Sequence, residues 1–155
     1  MIERIVSGGQ TGADRAALDF ALANGIRIGG WVPRGRLAED GRIPDRYPDL
    51  VETGSADPAV RTARNVRDSD ATLILSHGPL DGGSLLTFEE ATRASRPVLH
   101  LDLDQLDPAA AAAHLRSWLA ALRPNTLNVA GPRASRDPLI ATATKVVLAA
   151  ALRGS

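Results

Sequence analysis

Hydrophobic residues recur along the chain in short blocks whose spacing alternates between strand-like and helix-like, which predicts an α/β chain. Ile2, Ile5 and Val6 make a first apolar block with the length of a strand. Helical spacing follows in residues 16–22, and Asn24-Gly25 supplies a helix-ending pair. Residues 26–32 are the second strand. Asp57 and Pro58 then open a helix as N-cap and first residue, running to about Arg67. Residues 70–76 read as the clearest strand, an apolar stretch suited to a buried parallel sheet. A helix with Thr87, Glu89 and Glu90 in its first turns leads to a fourth strand at 97–101. Asp107-Pro108 cap an alanine-rich helix to about Leu122, residues 126–130 form a fifth strand, and Asp137-Pro138 start a last helix ending near Leu152. Such alternation implies a parallel sheet of about five strands, helices on both faces and right-handed crossovers. The common order 2-1-3-4-5 is the expectation.

The longest stretch without periodicity is 33–56, rich in Gly, Pro, Arg and Asp. Connections of that length inside a domain are functional or disordered. Trp31, Tyr47 and Leu50 offer anchors, so an ordered loop is expected. Its Arg34, Arg36, Arg42 and Arg46 either reach an anionic ligand or pair with Glu39, Asp40, Asp45 and Asp49.

Composition narrows the function classes. A chain of 155 residues suggests one domain, and 44% hydrophobic with 23% charged residues is ordinary for a soluble globular protein. Eighteen basic residues balance 18 acidic ones, so no global field favours nucleic acid or a membrane surface. Aromatic content of 3% leaves few stacking platforms for single strands. Cys 0 excludes disulfides, thiol nucleophiles and cysteine metal sites. No signal peptide or membrane-spanning run is legible, and a cytoplasmic location is expected. His77, His100 and His114 lack metal-ligand spacing, so no metal site is expected, although His77 borders a glycine-rich loop and is a minor ligand candidate.

Three loops follow strands and carry the candidate chemistry. The first, Ser7-Gly8-Gly9-Gln10-Thr11-Gly12-Ala13-Asp14-Arg15, joins a strand to a helix. Glycines let the backbone approach an anion, and a helix start offers unpaired N–H groups with partial positive charge. Gln10 and Thr11 add side-chain donors and Arg15 a full charge. The plain alternative is a tight βα turn capped by Thr11 or Asp14. The loop matches neither a Walker loop nor the dinucleotide glycine pattern. The second, residues 77–84, contains Gly82, Gly83 and Ser84, and the third spans Gly131 to Ser135. In the expected strand order the first two loops face each other at the switch point where ligands bind. Gly8, Gly9, Gln10, Thr11, Gly12, Arg15, Arg34, Gly82, Gly83, Ser84 and Thr87 are the candidate ligand-binding residues.

Gly8 to Arg15 resembles the start of the molybdenum-cofactor carrier proteins, a YpsA-like branch of the SLOG superfamily. The similarity continues in Gly29-Gly30-Trp31-Val32-Pro33-Arg34-Gly35-Arg36, Ala38-Glu39-Asp40-Gly41, Ile43-Pro44 and Arg46-Tyr47-Pro48. It extends through Asn65 to Thr72, Gly82-Gly83-Ser84 and Asn128 to Arg133, nearly the whole chain. The resemblance implies a Rossmann-like three-layer fold, homo-oligomers, and a cleft for a phosphorylated, nucleotide-like or pterin ligand. By resemblance the carried ligand is the molybdenum cofactor (molybdopterin), held by a binding protein rather than an enzyme.

The same superfamily holds the lonely-guy phosphoribohydrolases, which cleave nucleoside monophosphates at the N-glycosidic bond. Laid on this chain, their arginine falls on Arg61, while their lysine position holds Thr62. Their threonine and glutamate fall on Thr87 and Glu90, and the glycine turn is one residue longer and lacks its third glycine. Arg61 and Glu90 are therefore catalytic candidates under this alternative, which needs a carboxylate at the sugar and cations on the phosphate. An exposed helical glutamate is the plain reading of Glu90. A nucleotide-sensing module is the third reading.

Overall fold

The computed structural model describes residues 1–153. In chain order the elements are β1 (Arg4–Val6), α1 (Ala13–Ala23), β2 (Arg27–Val32), β3 (Leu37–Ala38), β4 (Gly41–Arg42), β5 (Leu50–Glu52) and α2 (Pro58–Arg67). They continue with β6 (Ala71–Ser76), α3 (Gly82–Arg93), β7 (Val98–Asp102), α4 (Pro108–Leu122), β8 (Thr126–Ala130) and α5 (Ile140–Leu152). Six strands form a parallel sheet in the order β5-β2-β1-β8-β6-β7, and β3 with β4 makes a separate antiparallel hairpin. The fold is Rossmann-like, with three layers.

Crossover handedness sorts the helices. The steps from β1 to β2 and from β7 to β8 run toward the β5 edge, so right-handed crossovers place α1 and α4 on one face. The steps into β6 and β7 run the other way and place α2 and α3 on the opposite face. Contacts agree: α5 packs on α1 and α4, and α2 packs on α3. The main hydrophobic core lies under α1, α4 and α5, where Ile5, Leu73, Leu75, Leu127, Leu115 and Leu148 are fully buried.

Two expectations about the sheet need correction. The fifth strand, β8, does not take the edge but sits between β1 and β6. Burial explains the choice: Leu127, Asn128 and Val129 are all buried, whereas β7 is mostly half-buried and suits an edge. The sheet also gains β5 from within the 33–56 connection, an edge strand paired only with β2. The connection is otherwise ordered as expected, with Tyr47 and Ile43 buried and the Tyr47 hydroxyl donating to Asp19 over 2.7 Å.

Helix starts shift too. Gly82-Gly83-Ser84 is not a turn before α3 but its first turn. Asp137-Pro138 precede α5 without belonging to it, because the Asp137 carboxylate is held by His77 and by the Leu139 N–H. The predicted caps Asp57 and Asp107 do accept hydrogen bonds from Ala59 and Ala110 N–H, and both helices end where expected.

Candidate functional site

At the carboxyl ends of β1, β8 and β6 the helices diverge to opposite faces, and a cleft of about 310 Å³ opens there. Ligands bind at such switch points in open α/β sheets. Its floor holds Gly8, Asp14, Asn128 and Val129, one wall carries Arg61, Thr62 and Asn65 from α2, and another Gly82, Gly83, Ser84 and Thr87 from α3. Arg133 and Arg136 come from the third loop, which the inserted β8 brings between the other two.

The first loop is largely consumed by structural contacts. Gly9 has φ +73°, and a Cβ there would come within 2.8 Å of Ile43, so it faces the β3–β4 hairpin. A Cβ on Gly12 would lie 2.3 Å from the Pro132 carbonyl oxygen, so the first and third loops touch at a point only glycine permits. The Gln10 side-chain oxygen accepts from Thr11 and Glu39 N–H, at 3.0 and 2.9 Å. The Thr11 hydroxyl donates to Glu39 and accepts from Ala134 N–H. Glu39 also accepts from Ser135, and these hydroxyls hold its carboxyl below the usual range. Arg15 is spent on Asp40 in a two-pronged pair of 2.6 and 2.8 Å that lowers the Asp40 pKa. Of the candidates in this loop, Gly8 and Gln10 line the cleft, while Gly9, Thr11, Gly12 and Arg15 do not.

Arg34 also lies outside the cleft and donates to the Gly54 carbonyl. The other loop arginines are occupied locally. Arg36 donates to the carbonyls of Ile43 and Pro44, Arg42 pairs with Asp45, and Arg46 pairs with Asp19. Their reading as ligand contacts finds no support in this arrangement.

The two helix N-termini differ. In α1 the Ala13 N–H is taken by the Pro132 carbonyl and the Arg15 N–H by the Gln10 carbonyl. Neither Thr11 nor Asp14 caps it; the N-cap is Gly12. In α3 the N–H groups of Gly82, Gly83 and Ser84 meet no acceptor outside the helix, because the first helical bond runs from Leu85 to Asp81. Orphan N–H groups of this kind are what an anion uses. The start of α3, not that of α1, keeps its N–H groups unpaired.

Arg61 is buried, with Nη1 donating to the Gly8 carbonyl over 2.9 Å, and it lines the cleft as the hydrolase alternative requires. Glu90 does not line it. Nor is it an exposed helical glutamate: it is 8% exposed, paired with Arg93 and within 3.7 Å of Arg67. Thr87 lines the cleft, but its hydroxyl donates to the Gly83 carbonyl. His77 is held by Asp137 outside the cleft.

Sequence reasoning missed Asp14 as a cleft residue. It sits 7% exposed beneath the first loop, accepting from Gln10 N–H at 3.3 Å. Burial pushes its pKa up to about 6, against the opposing pull of Arg61 and of the Gln10 and Gly8 N–H groups. An acidic residue in the first turn of a helix is a common favourable placement, so nothing in the local pattern signals its burial. Arg133 and Arg136 were also missed as cleft residues, because their access depends on where β8 sits.

Among the described residues no cluster of His, Cys, Asp and Glu is arranged to hold a metal ion, and no helix is long and apolar enough to cross a membrane. No curated protein matches the sequence. The crystal structure of a Syntrophus aciditrophicus protein, named "putative molybdenum carrier protein", matches with a TM-score of 0.96 at 52% identity, over 97% of this chain and 95% of that one. The family described as circularly permutated YpsA SLOG matches residues 5–152. The expected YpsA-like resemblance holds, and the chain belongs to the circularly permutated YpsA SLOG family.

Proposed function

We propose that the protein is a carrier that binds a phosphorylated small molecule in this cleft, with the molybdenum cofactor as its cargo. One observation carries the reading: the three α3 residues whose N–H groups have no acceptor, Gly82, Gly83 and Ser84, line a cleft that Arg61, Arg133 and Arg136 also line. A phosphate monoester at that point accepts from the N–H groups and lies among Arg61, Arg133 and Arg136. The cofactor's pterin ring offers N–H donors, and the Asp14 carboxyl on the floor supplies an acceptor. The name of the Syntrophus aciditrophicus protein supports the same cargo.

The hydrolase reading retains Arg61 but loses its carboxylate, since Glu90 is turned into an arginine-lined contact between α2 and α3. A carrier therefore gives no free base from nucleoside monophosphates above background. Purification from cells that make molybdenum cofactor, followed by mass spectrometry of the released small molecule, tests the cargo. Pterin and molybdenum in stoichiometric amount support it. A different co-purifying molecule, or release of free base abolished by Glu90→Gln, overturns it.

A further inference from the structure

Arg61 is the fourth residue of α2 and only 9% exposed. Burying a cation is unfavourable without a partner, and a cation near a helix start also opposes the helix dipole. Asp14 is near enough for its charge and that of Arg61 to influence each other, but among the described residues no carboxylate forms an ion pair with Arg61. Neutral groups hold the guanidinium instead. Nη1 donates to the Gly8 carbonyl over 2.9 Å and Nε, more loosely, to the Thr62 hydroxyl over 3.4 Å. Nη2 has no acceptor among the described residues, and Arg61 lines the cleft.

What makes room for this arrangement is a side chain that is missing. A Cβ on Gly8 would meet Arg61 Nε at 2.7 Å and Cδ and Cζ at 2.8 Å, so the guanidinium rests directly on the Gly8 backbone. Gly8 has no positive φ, unlike Gly9 and Gly12. Its backbone would accept a side chain, and the nearest obstacle to one is Arg61. Gly29 supplies a contrast. A Cβ there would meet Arg4 Nη2 at 2.0 Å, so a second arginine rests on a second glycine, but neither of these residues lines the cleft.

We propose that Gly8 is a positioning residue: its bare backbone is the seat of Arg61 and keeps the unpaired Nη2 available to the anionic group of the ligand. The inference rests on the ligand-binding cleft proposed above. The first loop then acts on the ligand through an arginine of α2. An alanine at position 8 pushes against the far end of a long side chain, which yields more readily than the backbone over Gly12. Gly8→Ala therefore displaces Arg61 and leaves the fold in place.

The seat and its consequence are read separately. In ¹⁵N–¹H spectra the Arg61 Nε–H resonance, assigned by its loss in Arg61→Gln, should shift in Gly8→Ala and stay in place in Gly29→Ala. By calorimetry, Gly8→Ala should weaken adenosine 5′-monophosphate about tenfold, and Gly29→Ala should not change its affinity. Arg61→Gln should weaken it about ten- to a hundredfold, and Gly8→Ala added to that variant should have no further effect, because no guanidinium remains to displace. The melting temperature of Gly8→Ala should fall by no more than about 4 °C. An unmoved Nε resonance, a further loss of affinity in the double variant, or loss of the fold in Gly8→Ala overturns the seat while leaving the cleft intact. A moved resonance with unaltered affinity overturns the action of Gly8 on the ligand. No nucleotide binding by the wild type overturns the cleft reading and the ligand contact of Arg61 with it, while the resonance still decides whether Gly8 seats the arginine.

Discussion

On the face of the sheet beneath α1, α4 and α5, the parallel register lines up Ile5, Ile28, Leu127, Leu73, Leu75 and Leu101. On the opposite face the same strands present a mixed set, Arg4, Gly29, Asn128, Thr72, Ser76 and His100 beside the buried Val6 and Ile74. The first set joins one hydrophobic cluster with three helices. The second is covered by two helices, and α2 sends Arg61 and Asn65 inward where α5 sends Val147 and Leu148. Asn65 closes both its amide bonds on the Trp31 backbone, at 2.8 and 3.0 Å, so even packing on this face runs through hydrogen bonds. One packed face is enough to hold a sheet, which leaves the other free to be polar, incompletely covered and open to a ligand at its end.

The comparison breaks most readily on stability. Leu73→Ala, on the apolar face, should cost about 2–5 kcal/mol in urea denaturation. Thr72→Ala, one residue away on the other face, removes an acceptor for the Asn128 amide at 3.3 Å and should cost about 1–2 kcal/mol. Equal losses would mean that the two faces carry the fold alike.

A second, slightly smaller effect belongs to Asp14. Its native pKa of about 6 lies above the ordinary aspartate value of 3.8, so the folded protein binds a proton that the unfolded chain has released between those values. The contribution of this group is therefore fully favourable below about pH 4 and is lost as pH rises through about 6. Asp14→Asn should leave stability at pH 4 nearly unchanged and raise it at pH 7.5 by roughly 2–3 kcal/mol. Glu39, Asp40 and Asp102 are shifted the opposite way and lose their contributions only at lower pH. A wild-type-minus-variant difference that is flat from pH 4 to pH 7.5 would show that the cleft floor tolerates a buried carboxylate without cost.

Much of this was legible in the sequence, and the exceptions have physical causes. Local signals act within a few residues, so the Asp57-Pro58 and Asp107-Pro108 starts, the strand at 126–130 and the end of α5 fall where spacing puts them. Strand order depends on contacts far apart in sequence. Nothing near residues 126–130 says that Leu127 and Val129 will outrank β7 for the central place beside β1. The site inherits that gap: Arg136 reaches the cleft only because β8 is central, and Thr11 is kept out of it because Glu39 comes to meet its hydroxyl. Residue type alone suggested two equivalent glycine loops. Packing made one a structural joint and left the other open.

The glycines sharpen that distinction at the smallest scale. Gly12 has φ +81° and a backbone oxygen where its Cβ would be, so Gly12→Ala should destabilise the fold. Gly83 has open space around it, within helical backbone, so Gly83→Ala should leave the melting temperature unchanged or raise stability by about 0.4–1 kcal/mol. The added methyl should nevertheless weaken binding of a nucleoside 5′-monophosphate by calorimetry. A loss of stability in Gly83→Ala, or unaltered affinity, would remove the distinction between the loops.

The central claim, that the open start of α3 rather than that of α1 receives the phosphate, is tested most directly by amide chemical shifts. A ¹⁵N–¹H titration with adenosine 5′-monophosphate should move the resonances of Gly82, Gly83 and Ser84 most, while Gly9 and Gly12 stay nearly still. The largest shifts at Gly9 to Ala13, with Gly82 to Ser84 unmoved, would contradict the account.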